Sequence, residues 1–461
     1  VRRVSTLWTS TDIAAATGGV ASAGFSVSGV TFDSREVEPG HLFIALKGAA
    51  MDGHTFLPDV FARGAAGAVV SVPVDHPHVL VDDTMVALNA LAAAARARTA
   101  ATVIGVTGSV GKTGTKEALY AALDRSAPGR THRSVKSYNN HTGVPLSLSR
   151  MPADSRYAVL EMGMNHAGEL AALTQIVRPH IAIITAIAPA HTEFFADESA
   201  IADAKAEIFQ GLQPGGTAIV PFDSPHRDRL LAAATRHAAN VITFGLGAGA
   251  DVRALETMRA ATGGTFVTAR LKTRELSFTI SQPGAHWVSN ALAVLAAVEA
   301  AGADVGLAGL ALAELGGLSG RGARFMASVG EGSALIIDES YNANPASMRA
   351  TLAVLAAESA PRKIAVLGEM RELGAGSAAY HAGLADPIKA AGITRAILVG
   401  DGMAALANAL EGQVDFVHVP NAAAARHALA QVLAPGDAVL IKGSNGVGLA
   451  AVVAGLQDGN T

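Results

Sequence analysis

The sequence predicts an α/β protein of three domains, and three observations lead there. At 461 residues the chain is too long for one ordinary core. Through its middle and end, short apolar runs alternate with helix-forming stretches, the rhythm of parallel strands covered by helices on both faces. The run Ala101 to Ile104 leads directly into Gly105-Val106-Thr107-Gly108-Ser109-Val110-Gly111-Lys112-Thr113, a strand entering a glycine-rich turn that ends in Lys-Thr. The expected units are a small N-terminal α/β domain over 1–98, a central parallel-sheet domain of the phosphate-loop ATPase kind over 99–321, and a C-terminal Rossmann-like α/β domain over 322–461.

In the first unit, Gly29 to Arg35, His41 to Leu46 and Ala68 to Val72 read as short strands, parted by the turn-forming pairs Pro39-Gly40 and Asp52-Gly53. Alanine-rich Met85 to Ala100 reads as the helix leading out of it. In the second, strands are expected at Tyr157 to Glu161, Ile181 to Ile187 and Thr217 to Pro221, with helices over Lys116 to Leu123 and Ala200 to Gln210. Ser-Gly-Arg-Gly breaks the helical composition between Leu318 and Arg324, after which the rhythm restarts. Strands are expected at Leu335 to Asp338, Lys363 to Leu367, Arg395 to Val399 and Ala438 to Ile441, and a helix over Ser347 to Glu358 with Ser347 as its cap. No G-x-G-x-x-G follows Leu335 to Asp338, which argues against a dinucleotide site there.

Composition narrows the function. Apolar residues make up 50% and charged residues 16%, so the chain has ample material for buried cores and little reason to be disordered. A net charge of −4 provides no electrostatic footprint for nucleic acid. The alanine-rich tracts Leu88 to Ala101 and Leu307 to Leu315 are broken by charges or glycines, so membrane insertion is not expected, and the opening Val1-Arg2-Arg3 lacks a secretory apolar segment. Without any cysteine, disulfides, a thiol nucleophile and Cys-ligated zinc are excluded. The expectation is a monomeric enzyme of the cytoplasm.

The glycine-rich turn has the composition of a triphosphate cradle. Backbone N–H groups of Gly108, Ser109, Val110 and Gly111 and of the next helix can point at phosphates, Lys112 can reach between them, and the Thr113 hydroxyl can ligate Mg²⁺. The match to G-x-x-x-x-G-K-[ST] requires Val106 in place of the first glycine. Other polar groups sit just beyond strand ends, where ligands of open parallel sheets gather: Glu161 and His191 suit magnesium and its water shell, although a cap or surface role is the competing reading for either. Asn139 and Asn140, in Asn139-Asn140-His141-Thr142-Gly143-Val144-Pro145, offer amide donors and acceptors to a polar substrate or simply form a turn. Lys205 on its helix is equally consistent with a solvated lysine. Asp338 offers a carboxylate to ribose hydroxyls, and Tyr341-Asn342-Ala343-Asn344-Pro345 forms a binding loop or a structural one.

At these residues the chain resembles the Mur ligase family, ATP-dependent enzymes that add amino acids or a dipeptide to a UDP-muramoyl precursor of peptidoglycan. The resemblance runs nearly end to end. Asp33-Ser34-Arg35, Pro39-Gly40-His41-Leu42-Phe43 and Asp52-Gly53-His54-Thr55-Phe56 are similar to the family's uridine-nucleotide domain, and Thr107 to Thr113, Asn139 to Pro145 and Ala204-Lys205-Ala206-Glu207-Ile208-Phe209 fit its middle. Glu161 to Glu169, Asp338 to Pro345 and Gly368-Glu369-Met370-Arg371-Glu372-Leu373-Gly374 resemble the branch that adds D-alanyl-D-alanine to UDP-N-acetylmuramoyl-tripeptide, and the Asp-Asn-Pro-Arg signature of the diaminopimelate-adding branch is absent. The resemblance implies ATP and Mg²⁺ as cofactors. It assigns Lys112 to the transferred phosphate, Thr113 and Glu161 to one magnesium, and His191 to another. Lys205 becomes a site of carbamylation and metal bridging. Asn290 is assigned to adenine, Asp338 to ribose and Arg324 to phosphate. Ser34, Arg35, Asn139, Asn140, Tyr341, Asn342 and Asn344 are assigned to substrate. One departure stands out: Gly114 follows Thr113 where the commoner loop repeats threonine.

Overall fold

The computed structural model describes residues 6–48, 51–190, 192–261 and 263–458. The chain forms three α/β domains in succession, each built on its own sheet, with a small antiparallel pair, Trp8–Thr9 and Ser26–Val27, at the start.

The first sheet orders its strands Val20–Ala21, His78–Leu80, Gly67–Val70, His41–Ile44 and Gly29–Thr31; all neighbours are parallel except the first pair. Helix Thr84–Ala97 closes one face. It begins where Asp83 accepts from the Met85 and Val86 amides, the cap that an aspartate supplies to unpaired first-turn donors. Arg98 follows, its guanidinium 3.3 Å over the Trp8 ring and donating to Leu7 O and Met151 O, so the exit of this helix ties the first domain to the second.

The central sheet has the order Glu275–Ile280, Thr265–Arg270, Val252–Arg259, Asn240–Gly245, Thr217–Pro221, Ile181–Ile184, Thr102–Thr107, Tyr157–Glu161 and Thr131–Arg133. From Thr131–Arg133 to Val252–Arg259 every pairing is parallel; the last two strands extend the edge as an antiparallel meander. Alternating strand residues feed two cores, as the two-residue period demands. Ile104, Val106, Val159 and Ile183 face helices Lys112–Ser126 and Ala285–Ala300, while Val103, Leu160, Ala182 and Ile184 face the helices of the other side. Thr102–Thr107 is an interior strand, paired with Ile181–Ile184 on one side and Tyr157–Glu161 on the other and buried on both faces, so the turn at its carboxyl end starts from a fixed base.

The third sheet has the order Ala323–Val329, Gly332–Glu339, Ala438–Lys442, Lys363–Gly368, Arg395–Val399 and Phe416–Val419, parallel except for the first hairpin. That hairpin means Leu335 to Asp338 is the second strand of its domain, preceded by one the sequence did not reveal. The third domain touches the second at Tyr341, whose hydroxyl donates to Ser137 Oγ at 2.6 Å, and where the Thr192 hydroxyl donates to Leu373 O at 3.1 Å.

Leu119, on helix Lys112–Ser126, is fully buried in the core that this helix and Ala285–Ala300 form against the central sheet. We expect Leu119→Ala to destabilise that domain by about 2–5 kcal/mol in urea unfolding, whereas Leu310→Ala, at a position 54% exposed, should change it by less than about 0.5 kcal/mol.

Candidate active site

The strand Thr102–Thr107 gives way to the turn because Gly108 adopts φ +151°, a backbone angle that side chains disfavour. A Cβ there would stand 1.9 Å from the Thr185 hydroxyl. The end of the neighbouring strand grips the loop: Ser109 N–H donates to Ala186 O at 2.7 Å, and Thr185 Oγ1 lies 2.5 Å from Val110 O. Gly111, at φ +85°, then caps helix Lys112–Ser126. The first-turn amides of that helix have no partner within it, and with the positive end of the helix dipole they border a cavity of about 570 Å³.

Lys112 crosses the mouth of this loop, its Nζ 2.7 Å from Gly108 O. Burial pushes its ammonium below the usual lysine range, with Glu161 opposing the shift. Beside it the Thr113 hydroxyl donates to Glu161 Oε2 at 3.0 Å, and Asn139 Nδ2 donates to Oε1 at 2.8 Å. Fully buried Lys116 stands 3.8 Å from Oε2 and donates to Lys136 O at 3.0 Å. A hydroxyl and a carboxylate side by side at a phosphate loop are hard-oxygen donors of the kind Mg²⁺ takes, with phosphate and water completing the shell. Among the described residues no cluster of three or more His, Asp or Glu forms an all-protein metal cage.

Lys205 is 1% exposed on helix Glu198–Ala206, so it is no solvated surface lysine. Among the described residues nothing pairs with its ammonium, and burial, reinforced by the charge of Lys112, holds it well below lysine's ordinary value. His191 lies outside the described residues.

The facing wall comes from helix Ala285–Ala300 and from the third domain. Asn290 packs against the loop, where a Cβ on Gly111 would meet its Oδ1 at 2.8 Å. Trp287 covers Gly114 so closely that a Cβ would stand 3.0 Å from the indole, which accounts for glycine where the commoner loop has threonine. His286 is pushed down to about 4 by burial and by Lys442, so the ring is neutral near pH 7. Tyr341, Asn342 and Asn344 line the same cavity, and the Arg321 guanidinium lies 4.0 Å over the Tyr341 ring. Asn344, rather than Ser347, caps helix Pro345–Ala356: Asn344 Oδ1 accepts from Ser347 N–H at 2.9 Å and Ser347 Oγ from Asn344 N–H at 3.0 Å. Pro345 at the first helical position accounts for the shift, since its fixed φ starts the helix two residues earlier.

Other residues singled out in the sequence stand apart from the cavity. Asp338, 2% exposed, accepts from Gly320 N–H at 2.6 Å and from the Ser340 hydroxyl at 2.6 Å, so it braces the turn between domains. Arg324 places Nη2 2.9 Å from Glu358 Oε2. Asn140 Oδ1 accepts from Gly143 N–H at 2.9 Å and shapes the entry to helix Gly143–Ser149. Ser34 and Arg35 lie in the first domain, Arg35 held by Asp33 through bonds of 2.7 and 2.9 Å.

Among the cavity residues that sequence reasoning did not assign to the site are the charged side chains Arg321, Glu339 and Lys442. Strand alternation contains the signal for Glu339, since Asp338 and its successor must point to opposite faces, but choosing between them requires knowing which face meets the cleft. Gly114→Thr should force Trp287 to move, costing about 1–3 kcal/mol of stability and weakening nucleotide binding. Thermal unfolding and calorimetric titration with ATP check this; unchanged values would show that the indole contact has slack.

Comparison with known proteins adds an independent line. Residues 26–108 match the Mur ligase family catalytic domain, 106–298 the Mur ligase middle domain and 324–445 the Mur ligase glutamate ligase domain. The chain is 35% identical over 446 residues to the UDP-N-acetylmuramoyl-tripeptide–D-alanyl-D-alanine ligase of Escherichia coli (strain K12), covering 96% of this chain and 97% of that one. A crystal structure of MurF from Acinetobacter baumannii superposes with a TM-score of 0.84 at 32% identity, over 98% of this chain and 99% of that one. The MurF ligase of Thermotoga maritima in complex with ADP gives a TM-score of 0.76 at 26% identity, over 94% of this chain and 97% of its own. Full-length similarity at this level, on the same three α/β domains, means that the chain belongs to the Mur ligase family.

Proposed function

We propose that the protein joins D-alanyl-D-alanine to UDP-N-acetylmuramoyl-tripeptide at the expense of ATP, giving the UDP-muramoyl-pentapeptide, ADP and phosphate. One observation carries the reading beyond family likeness: the phosphate loop, with Lys112 and the Thr113–Glu161 pair, shares one cavity with Arg321 at the domain junction and with the third domain's Glu339 and Tyr341. A ligase needs ATP and a second reactant in one enclosure, whereas a nucleotide-gated binding module does not.

An amide cannot form from a carboxylate directly, because oxide is too poor a leaving group. The muramoyl-peptide carboxylate attacks the γ-phosphoryl group, ADP departs, and the acyl phosphate is then captured by the amine with loss of phosphate. Lys112 and the loop amides oppose the charge that develops on the transferred group, the largest contribution a protein makes to phosphoryl transfer. Magnesium, when bound, neutralises phosphate charge, and Thr113 and Glu161 are the residues to hold it, with His191 assigned to a second ion. Closure of the third domain keeps water from the acyl phosphate.

Lys205 enters as a carbamate in this reading. Burial, which lowers the pKa of Lys205, favours the free amine; addition of CO₂ to that amine with release of a proton gives a carbamate anion, which could hold a metal ion. Asn290 reads adenine, and Asn139, Asn140, Ser34 and Arg35 read the muramoyl substrate. Asp338 and Arg324 serve ribose and phosphate only if domain closure frees them from the bonds described above. The functional units are 1–98, 99–321 and 322–461. The demand for ATP and a uridine nucleotide supports the cytoplasm. No helix among the described residues is long and apolar enough to cross a membrane.

Purified protein with ATP, Mg²⁺ and UDP-muramoyl-tripeptide should release phosphate with D-alanyl-D-alanine and not with free lysine or diaminopimelate offered alongside the dipeptide precursor. Lys112→Ala should abolish that release while leaving the unfolding profile intact; near-normal turnover by the variant overturns the assignment. Lys205→Ala should lose most activity and regain part of it with a short-chain carboxylic acid. A variant that keeps full turnover without such an acid removes the carbamate.

A further inference from the structure

We infer that Glu339 receives the ammonium of the incoming dipeptide and takes up its proton, acting as the general base for amide formation. The inference rests on the acyl-phosphate reading above and adds the residue that the second half of the reaction lacks. Near neutral pH the dipeptide arrives as an ammonium ion, which has no lone pair with which to attack. It also enters a cavity that already holds the cations of Lys112, Arg321 and Lys442. The site therefore needs a carboxylate that attracts the ammonium and can accept its proton.

Two carboxylates line the cavity among the described residues, Glu161 and Glu339. Both oxygens of Glu161 are engaged, by Thr113 and Asn139, at the phosphate loop. Glu339 stands on the opposite wall, at the carboxyl end of strand Gly332–Glu339 and directly across the parallel ladder from Lys442. Its Oε2 is 3.6 Å from Lys442 Nζ. Lys442 is itself tethered to Asn342 O at 2.8 Å, and its side chain is 2% exposed against 17% for Glu339, so the carboxylate and not the lysine is open to an incoming group. Among the described residues nothing else bonds the Glu339 carboxylate. Arg321 lines the same cavity as Lys112, Glu339 and Lys442, so the acid and the phosphate loop face one enclosure.

His286 is the other titratable group able to accept a proton there, but an imidazole held at about 4 is a poor base for an ammonium. Burial raises Glu339 above the ordinary carboxylate range and Asp338 adds to the rise, while Lys442 and Arg321 oppose it. A raised carboxylate is the better match for proton abstraction near neutrality. The step balances: the ammonium gives one proton to the Glu339 carboxylate, the freed amine adds to the acyl carbon, the C–O bond to phosphate breaks, and the second N–H proton leaves with the phosphate.

Hydroxylamine separates this role from nucleotide binding, because it is largely unprotonated near neutral pH and captures an acyl phosphate without a base. In Glu339→Gln, turnover with D-alanyl-D-alanine should fall about 10²-fold or more, while hydroxamate formation from ATP, UDP-muramoyl-tripeptide and hydroxylamine stays within about twofold of the wild type. Glu339→Asp, which keeps the charge but withdraws it by one methylene, should fall between. In the wild type the dipeptide reaction should weaken as pH drops through the raised Glu339 value, because the protonated acid cannot accept; the hydroxylamine reaction should lack that limb. Parallel loss of both reactions in Glu339→Gln, or loss of neither, overturns the base assignment. Absence of hydroxamate from the wild type would instead overturn the acyl phosphate itself.

Discussion

The structure depends on one turn. Between strand Thr102–Thr107 and helix Lys112–Ser126 the backbone reverses within a few residues, and it can do so only because Gly108 leaves room for the Thr185 hydroxyl and Gly111 takes a left-handed angle. That geometry leaves the first amides of the helix without internal partners and aims Lys112 and Thr113 at the same space. The Glu161 carboxylate, at the end of the adjacent parallel strand, then meets Thr113 without any long loop between them. A phosphate site and a hard-oxygen metal site thus arise from two neighbouring strand ends, with a fully packed sheet behind to hold them still.

The rest of the chain supplies what this turn cannot. A phosphate loop alone activates a carboxylate but neither presents the amine nor protects the mixed anhydride from water. The third domain brings a second set of strand ends to the same cavity, with Glu339 and Lys442 paired across their ladder. Contacts such as Tyr341 to Ser137, Thr192 to Leu373 and Arg259 to Glu358 are polar. Interfaces of that kind permit domains to separate and close in each cycle, in contrast to the apolar cores within each sheet. The ion pair of Arg324 with Glu358 and the internal bonds of Asp338 lie at the same junction.

Much of this was legible in the amino acids, for identifiable reasons. Strands buried on both faces, such as Tyr157–Glu161, Thr217–Pro221 and Arg395–Val399, appear as short apolar runs and sit where the sequence puts them. The phosphate loop was legible because glycine spacing and a Lys-Thr pair are local. The stretch from Asn240 to Ile280 was not: strand Val252–Arg259 exposes its outer half, so polar residues dilute the period-two pattern. The Ser347 cap was misread because serine and asparagine are both good caps, and only the position of Pro345 decides between them. Glu339 was passed over for Asp338 because facing is a property of the sheet and its neighbours, not of two adjacent acids. The burial of Lys205 was equally invisible, since apolar neighbours on one side of a helix do not tell whether a long lysine follows them inward or reaches solvent.

In an acyl-phosphate route an oxygen of the muramoyl-peptide carboxylate passes to phosphate before the amide forms. Substrate labelled with ¹⁸O in that carboxylate, turned over with ATP and D-alanyl-D-alanine, tests it most directly by mass spectrometry of the released phosphate. One labelled oxygen is expected in each phosphate released alongside amide. Unlabelled phosphate accompanying full amide yield would contradict that route.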